Sequence, residues 1–363
     1  MGGDIEICDF LIIGGGIAGV SAAARLSDLG SVVLLEQETA LAHHASGRSA
    51  ALYEPHYGNP TVVEMSLASG DFLRGIDNIL SPRGVMMVGS PETEELARAE
   101  AIAMNLDPIS FTEAAAIVPI LKPGQVSFTA YADHAHDIDT DLLIQTFLRH
   151  ARGQGAQVVT GARVEALTRD GGAWTATTPQ GTYRGRIVIN AAGPWVDHVA
   201  ALAGAAPLGF TPLRRSMARI PAPGGLDMSR WPMMFGAGEG WYAKPDAGAL
   251  IVSPGEEDPS EPMDAWADDM VLAEGLARYE EMVTEPVTRI IANWAGLRTF
   301  SPDRVPVVGF APDTPDFFWL GGQGGYGFQS SPAISQLVAD LIGGRAPQVR
   351  AEAVAALSPK RFA

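Results

Sequence analysis

The sequence predicts an α/β protein, α+β overall, in which a Rossmann-like nucleotide-binding domain is interleaved with a smaller antiparallel-sheet domain. Three observations predict this fold. The chain opens with an apolar strand at Phe10 to Ile13, a glycine-rich turn and an amphipathic helix. Similar strand-turn-helix patterns return at Ile187 to Gly193 and at Phe317 to Gly327. The segments between these patterns contain short strands, proline and glycine, a mixture typical of antiparallel sheets.

The opening turn has the spacing GxGxxG at Gly14, Gly16 and Gly19. In a dinucleotide fold the first glycine makes the tight turn, the second lets a pyrophosphate approach the backbone, and the third lets helix pack on strand. The next strand, Val32 to Glu36, ends in a carboxylate that can accept a hydrogen bond from a ribose hydroxyl. A lone GxGxxG can be a chance tight turn, but the strand that follows favours a dinucleotide site.

The patterns along the chain predict two discontinuous domains. Residues 1–50, 139–206 and 295–363 form the cofactor domain, and residues 51–138 and 207–294 form the substrate domain. The expected helices run from Val62 to Leu80, from Pro91 to Met104, from a cap at Asp139 or Thr140 to Arg152, and from Met270 to Val283. Further strands are expected at Val85 to Val88, Gln157 to Thr160, Val164 to Thr168 and Val287 to Ala292.

Composition limits the function classes. The chain has 363 residues, is 47% hydrophobic and carries a formal net charge of -17. A nucleic acid backbone would be repelled by this charge, so nucleic acid is not an expected partner. No apolar run has transmembrane length, and membrane insertion is not expected. The start MGGDIEICDF lacks a basic segment followed by an apolar one, which predicts a cytoplasmic location.

Three small-residue turns, 14–19, 191–193 and 321–327, are expected to meet one ligand. A nicotinamide enzyme needs only the first. The last precedes a helix whose N-terminus carries partial positive charge, which would stabilise the negative charge of a reduced flavin. The turns therefore favour FAD. Cys8, the one cysteine of the chain, precedes the first turn, so the FAD is expected to be non-covalent, and no metal site is expected.

Five segments together resemble the D-amino acid oxidase superfamily of flavoproteins. They are DFLIIGGGIAGVSAAARL, SGRSAA, INAAGPWVD, WAGLRTFSPDRVPVVG and WLGGQGGYGFQSSPA, and the resemblance spans nearly the full chain. It implies an FAD held by Gly14, Gly16, Ile17, Ala18, Gly19, Glu36, Ser46, Gly47, Arg48, Ser49, Ala50, Ala51, Val164, Ala192, Gly193, Trp195, Arg298, Gly322, Gln323, Gly324, Gly325, Tyr326 and Gly327.

The resemblance also implies an amino acid substrate whose α-hydrogen passes as hydride to flavin N5, giving an imino acid. Arg215 and Arg298 would bind the substrate carboxylate, because a guanidinium matches a carboxylate bidentately. Tyr57 and Tyr242 would complete the catalytic set. Leu52, Tyr53, Val85, Gly296 and Gln323 would line the rest of the substrate site. Structural ion pairs for the arginines, and core packing for the tyrosines, are the alternatives.

Within the superfamily, SGRSAALY, LRRSMARI, WYAKPDAG and WAGLR are most similar to D-arginine dehydrogenases. That branch has a glutamate for the guanidinium where this chain has Val85, and a histidine where it has Leu52. A buried guanidinium without a carboxylate would cost several kcal/mol. The sequence therefore predicts a preference for D-amino acids with neutral or apolar side chains, although Glu54 could still accept a cationic one.

Several points stay open at the level of sequence. No catalytic base stands out, because His43, His44 and His56 lie in a polar loop, and Lys244, a candidate for oxygen activation, lies near a turn. Oxidation of a 2-hydroxy acid or of an N-methyl amino acid remains possible, as does a non-catalytic flavin-bound subunit. The electron acceptor, oxygen, a quinone or another compound, is not predicted.

Overall fold

The structure of the protein is a computed structural model that describes residues 6–362. The outermost ends of the predicted cofactor domain, and part of the N-terminal segment on which the predicted location rests, lie outside these residues. The described range contains nine α-helices. They are α1 Ile17–Leu26, α2 Pro60–Arg74, α3 Glu94–Ala103, α4 Phe111–Ile117, α5 Thr140–Gly153, α6 Val196–Leu202, α7 Asp269–Met282, α8 Gly327–Ile342 and α9 Ala351–Leu357.

Twenty strands lie in the same range. They are β1 Ile7–Ile13, β2 Val32–Leu35, β3 Leu52–Tyr53, β4 Leu80–Pro82, β5 Val85–Gly89, β6 Asp107–Ile109, β7 Phe128–Ala132, β8 His136–Ile138, β9 Gln157–Val159, β10 Ala166–Asp170, β11 Ala173–Thr178, β12 Gly181–Asn190, β13 Thr211–Pro221, β14 Met233–Gly236, β15 Tyr242–Asp246, β16 Ala249–Ser253, β17 Asp258–Pro259, β18 Ala292–Phe300, β19 Val307–Phe310 and β20 Phe317–Gly321.

The first sheet has eight strands and contains the predicted Rossmann-like core. Its parallel part runs β9-β2-β1-β12-β20, and β10, β11 and β19 extend it with antiparallel pairs. Along β1, Phe10 and Ile12 face the layer of α1, α5 and α8, while Leu11 and Ile13 face the layer that includes α6. Burial on both faces explains why this strand is apolar throughout.

The second sheet has nine strands in the order β17-β13-β16-β15-β14-β5-β7-β6, with β18 paired to the other side of β13. All of its pairs are antiparallel except β14 with β5. A third, three-stranded sheet joins β3, β8 and β4. The predicted combination of a Rossmann-like sheet with an antiparallel one is therefore confirmed.

The strand expected at Val287 to Ala292 is wrong in its bounds. The strand instead begins at Ala292, continues to Phe300 and pairs with β13 along its length. Its partner strand ends at Pro221, which has no N–H to continue a ladder. The predicted domain boundary at residue 295 thus falls inside one strand of the second sheet.

Helix α2 lies in a segment predicted to belong to the substrate domain, yet it packs on the cofactor side. Met65 and Leu73 are buried in the same core as Phe10 and α8. The domain division therefore stays a prediction. No helix of residues 6–362 is both long and apolar enough to cross a bilayer.

Candidate functional site

One long cleft runs between the first sheet and the second. It consists of two adjoining cavities of about 1280 and 780 Å³, which share six wall residues: Gly16, Ala45, Ser46, Ala191, Gly193 and Pro194. Because the same residues border both cavities, a single extended ligand can occupy the two together. The smaller cavity lies over the end of β2, and the larger one extends to β13, β15 and β18.

The turn between β1 and α1 forms the middle of the cleft. Gly14 has φ +110°, and a methyl group there would lie 2.3 Å from the carbonyl oxygen of Ala191. A methyl group at Gly19 would lie 1.9 Å from the carbonyl oxygen of Gly14, so helix and strand approach closely here. At Gly16 the nearest atom would be Ser46 Oγ at 3.2 Å, which leaves its backbone accessible from the cleft. These three positions match the roles that the spacing predicts.

Glu36 lies at the smaller end of the cleft, as expected for a ribose-binding carboxylate. Its side chain is buried and accepts hydrogen bonds from the backbone N–H of Gly15 at 2.6 Å and of Glu38 at 2.8 Å. Burial raises the pKa of Glu36, although these N–H groups oppose the change. Val164 and Trp195 line the same cavity, together with Ala192, Gly193 and the two histidines His43 and His44.

The segment predicted to bind the cofactor at Ser46 to Ala51 begins with a short 3-10 helix, Ala45–Arg48. Ser46 Oγ accepts a hydrogen bond from the N–H of Ile17 at the start of α1, at 3.0 Å. Ser46, Arg48, Ser49, Ala50 and Ala51, together with Ile17 and Ala18 of α1, line the larger cavity.

Two residues of this segment have roles other than the predicted one. Gly47 does not line the cleft, because it packs against the carbonyl oxygen of Ala42. The guanidinium of Arg48 binds protein acceptors instead of pointing at a ligand. It donates to the carbonyl oxygens of Ala265 at 2.8 Å and Ala295 at 3.0 Å, and it pairs with Asp264. Arg48 therefore joins the cofactor side of the cleft to the second sheet.

The glycine-rich turn before α8 forms the floor of the larger cavity. Gly322, Gln323, Gly324, Gly325 and Gly327 line it, whereas Tyr326 is the N-cap residue and packs against Tyr57 instead. The start of α8 has no side-chain cap, so its N–H groups are available to a ligand.

Several buried polar atoms in the larger cavity have no hydrogen-bond partner in residues 6–362. They are Gln323 Nε2, Thr299 Oγ1, Gln329 Nε2, Arg215 Nε and the hydroxyl of Tyr242. Buried polar groups in proteins are normally satisfied, so these atoms indicate a polar ligand. Together with the uncapped start of α8, they fit the polar edge of a flavin ring. The residues of the cleft therefore suit FAD.

Arg298 lies in β18 with its side chain on the wall of the larger cavity. Within residues 6–362 its guanidinium makes no ion pair and no hydrogen bond, although it is only partly exposed. Burial alone would lower the pKa of Arg298, but Tyr242, Tyr57 and Glu239 outweigh it and hold the pKa above its usual value. Arg298 is thus a cation that faces the cleft and, within residues 6–362, has no directly paired carboxylate.

Arg215 does not have the free guanidinium that the sequence analysis expected. Its side chain is 2% exposed and pairs with Glu239 at 3.2 Å and with Glu257 at 3.3 Å. Glu257 also pairs with Arg304 at 2.8 Å. The structure therefore supports the alternative of a structural ion pair for Arg215, even though the residue lines the cleft.

Glu239 is a site residue that the sequence analysis missed. It lies between Gly238 and Gly240 with φ +53°, a left-handed conformation that side chains rarely adopt, and it points at Arg215 and Tyr57. Burial alone would raise the pKa of Glu239, but Arg215 and Arg298 hold it below its usual value. The tight turn in GAGEG was the available signal, but its partners come from distant segments.

The two tyrosines of the predicted catalytic set both line the larger cavity. The Tyr57 hydroxyl donates to Glu239 Oε1 at 2.6 Å, and burial and Glu239 raise its pKa well above the usual value. Tyr242 is 1% exposed, and its hydroxyl is free to bind a ligand. Gly296 lies in β18 on the same side of the strand as Arg298 and borders the same cavity.

The wall beside Tyr242 is apolar. Leu52, Met217, Met233 and Phe235 line it. Tyr53, predicted to bind substrate, points away from the cleft, because successive residues of a strand face opposite sides. Its hydroxyl donates to the carbonyl oxygen of Ser66 at 3.2 Å inside the other core.

Val85 is also displaced from its predicted position. It is fully buried in β5 beside its register partner Met233, and it does not line the cavity. Met233, on the neighbouring strand, lines the cavity instead.

Two charged candidates have their charge bound by protein partners. Glu54 lines the larger cavity, and its carboxylate pairs with His134 at 2.7 Å. Lys244 does not line the cleft. It donates to Asp137 at 2.9 Å and to the carbonyl oxygen of Ala51 at 3.1 Å.

Comparison with known proteins agrees with the cleft geometry. The profile of the family described as DAO, FAD dependent oxidoreductase, matches residues 9–341. Glycine oxidase of Pseudomonas aeruginosa is 28% identical over 363 residues, which cover 93% of this chain and 95% of that protein.

Solved structures show the same fold. Glycine oxidase from Geobacillus kaustophilus has a TM-score of 0.81 at 21% identity and covers 97% of this chain and 98% of that one. L-α-glycerophosphate oxidase from Mycoplasma pneumoniae, solved with FAD bound, has a TM-score of 0.83 at 21% identity and covers 93% and 95%. The chain therefore belongs to the FAD dependent oxidoreductase family, and FAD is its cofactor.

Proposed function

We propose that the protein catalyses the oxidative deamination of an α-amino acid, and that its substrate is a D-amino acid with a neutral or apolar side chain. The observation that carries this proposal is the unpaired guanidinium of Arg298 beside an apolar wall in the larger cavity. A cytoplasmic location belongs to the same proposal and is tested by cell fractionation.

Arg298 binds the substrate carboxylate through two parallel N–H donors, which fixes the orientation of the α-carbon. The free hydroxyl of Tyr242 donates to the same carboxylate from β15. Tyr57, whose hydroxyl donates to Glu239, lines the same cavity. FAD, held by the turns at 14–19 and 321–327, would supply the acceptor for the α-hydrogen, and the imino acid product would hydrolyse in water.

Side-chain preference follows from the charges around the cavity. Leu52, Met233 and Phe235 offer an apolar surface. The two nearby carboxylates are already paired, Glu54 with His134 and Glu239 with Arg215. A guanidinium side chain would therefore be desolvated without a free carboxylate, which supports a substrate other than D-arginine despite the resemblance to D-arginine dehydrogenases.

A panel of substrates tests the proposal. Under anaerobic conditions the holoenzyme is mixed with D-leucine, D-methionine, D-arginine, D-aspartate, L-leucine, N-methyl amino acids and 2-hydroxy acids, and loss of the flavin absorbance is recorded. We expect D-leucine and D-methionine to reduce the flavin fastest. Faster reduction by D-arginine would refute the side-chain assignment, and faster reduction by L-leucine would refute the D configuration.

The same panel separates the alternatives. If only hydroxy acids reduce the flavin, the substrate is a 2-hydroxy acid and not an amino acid. If no compound reduces it, the result favours a non-catalytic subunit. Repeating the productive reaction in air, with oxygen uptake recorded, distinguishes an oxidase from a dehydrogenase.

A further inference from the structure

One carboxylate on the wall of the larger cavity has no role in substrate binding. Glu54 follows β3 and, like Leu52, lines the larger cavity, whereas Tyr53 does not. The Glu54 side chain is 2% exposed. A carboxylate that is buried beside a reaction site, in a chain with no evident catalytic base, is a candidate for proton transfer.

His134 connects this carboxylate to the outside of the protein. Its Nε2 lies 2.7 Å from one Glu54 oxygen and 2.9 Å from the other. The His134 side chain lies between β7 and β8 and is 25% exposed, so it meets both the buried carboxylate and solvent. The backbone N–H of His56 donates to Glu54 Oε1 at 3.0 Å and fixes the carboxylate in place.

We propose that Glu54 and His134 form a proton relay that carries the ammonium proton of the substrate from the cleft to solvent. The relay rests on the proposed function, because it serves the loss of a proton from a bound amine. An N–H bond of the ammonium breaks, and its electron pair stays on nitrogen. An O–H bond forms on Glu54, the proton passes to Nε2 of His134, and His134 releases a proton from Nδ1 to water.

The charges around His134 determine the pH dependence of the relay. Glu54 hydrogen-bonds to the imidazole and raises the pKa of His134, with a smaller contribution from Asp133. The ring of His56 lies 5.2 Å away, and His136 of β8 donates from Nδ1 to the His134 carbonyl oxygen. From α8, the neutral amide of Gln329 accepts a hydrogen bond from the backbone N–H of Glu54.

A protonated His134 cannot accept the proton from Glu54. The relay is therefore inactive below the pKa of His134 and becomes active as the pH rises through it. Without Glu54 no group takes the proton from the ammonium, so the rise in rate with pH should be lost, as it is without His134.

A purely structural role would be to anchor the loop that carries Tyr57, and the experiment must separate the two roles. We measure kcat/KM against pH, FAD content and thermal unfolding for the holoenzyme and for E54Q, H134Q and H134A. H150Q is the matched control. His150 lies on α5, outside the cleft lining, and makes a similar ion pair with Asp28.

We expect H134Q to lose the rise of kcat/KM with pH and to fall by roughly 100-fold at its plateau, the low end of general base catalysis. E54Q should lose the rise as well, because glutamine cannot take the proton from the ammonium. Imidazole added to H134A should restore activity, more strongly above the pKa of imidazole, because the base itself carries the proton. H150Q should keep the wild-type profile.

The relay is overturned if E54Q and H134Q keep the wild-type pH profile, or if imidazole does not restore H134A, whatever happens to stability. Failure of the proposed function gives a different result. If no amine or alcohol of the panel reduces the wild-type flavin, both proposals fail. If a compound does reduce it, that compound is used in the pH profiles, and only the relay is then tested.

Discussion

Replacing Arg298 and Arg215 separately should give opposite results, although both guanidinium groups line the same cavity. Arg298 makes no ion pair within residues 6–362, and Glu239, whose charge it helps to stabilise, keeps its ion pair with Arg215 in the variant R298M. We expect its thermal unfolding temperature to stay within about 1 °C of wild type, because a change of 1 kcal/mol shifts it by only about 1.3 °C in a chain of this size.

The effect of R298M on binding should be large. A hydrogen bond to a charged group contributes about 1.5 to 3 kcal/mol, and two such bonds to one carboxylate are not fully additive. A loss of about 3 kcal/mol corresponds to roughly 100-fold in affinity. The assay is the binding of 4-methylpentanoate, the analogue of leucine without its amine, followed by the perturbation of the flavin spectrum.

R215M should mainly affect stability. It leaves Glu239 and Glu257 without their shared cation, and breaking a buried pair costs about 3 to 5 kcal/mol. The two carboxylates are 36% and 33% exposed, so water and salt reduce this cost to about 2 kcal/mol. We therefore expect a fall of roughly 3 °C in the unfolding temperature.

The comparison has a clear refutation. If R298M binds 4-methylpentanoate as tightly as wild type, Arg298 is not the carboxylate site. If R215M instead loses binding by 100-fold at unchanged stability, Arg215 must leave its glutamates when a ligand binds, and the assignment of the two arginines is reversed.

Two further predictions concern the glycine turn and Glu239. G14A should fail to fold, since its methyl group would lie 2.3 Å from the carbonyl oxygen of Ala191, whereas G16A should fold but lose FAD during gel filtration, because its methyl group enters the space of the pyrophosphate. Retention of FAD by folded G16A would refute this placement. E239Q should be less stable than wild type at pH 7, because the pKa of Glu239 is held below its usual value and its stabilising charge is lost only as the pH falls through that lowered pKa. The difference in unfolding temperature should therefore disappear in acid, and a difference that persists there would contradict the charge-based explanation.

Local patterns made the cofactor side of the protein predictable. The turns at Gly14 and Gly322 and the strands beside them are continuous stretches of sequence, so their conformational requirements are visible without the fold. Arg298 was found through its motif for the same reason. The sequence could not show that Arg298 would be the guanidinium without an ion-pair partner, because this depends on contacts between segments.

The predictions were wrong where the role of a residue depends on which side of a strand it faces, or on an ion-pair partner far away in the sequence. Leu52 and Tyr53 are neighbours in sequence but face opposite sides of β3, so the assignment of both to the substrate site had to fail for one of them. Arg215 is paired with residues 24 and 42 positions away. No periodicity in the sequence brings Glu239 and Glu257 to the same guanidinium.

The pairing of Arg215 changes what the cavity can recognise. With two free guanidinium groups the site would suit a dicarboxylate, since each cation could bind one carboxylate. With Arg215 bound by Glu239 and Glu257, only Arg298 is left for the substrate, and a second carboxylate would meet these glutamates or the apolar wall. A second carboxylate of the substrate would be repelled by the glutamates, and against the apolar wall it would be a buried charge without a partner, which is costly. The paired arginine thus excludes acidic side chains for the same physical reason that the paired Glu54 excludes cationic ones, and together they leave a monocarboxylate with an uncharged side chain.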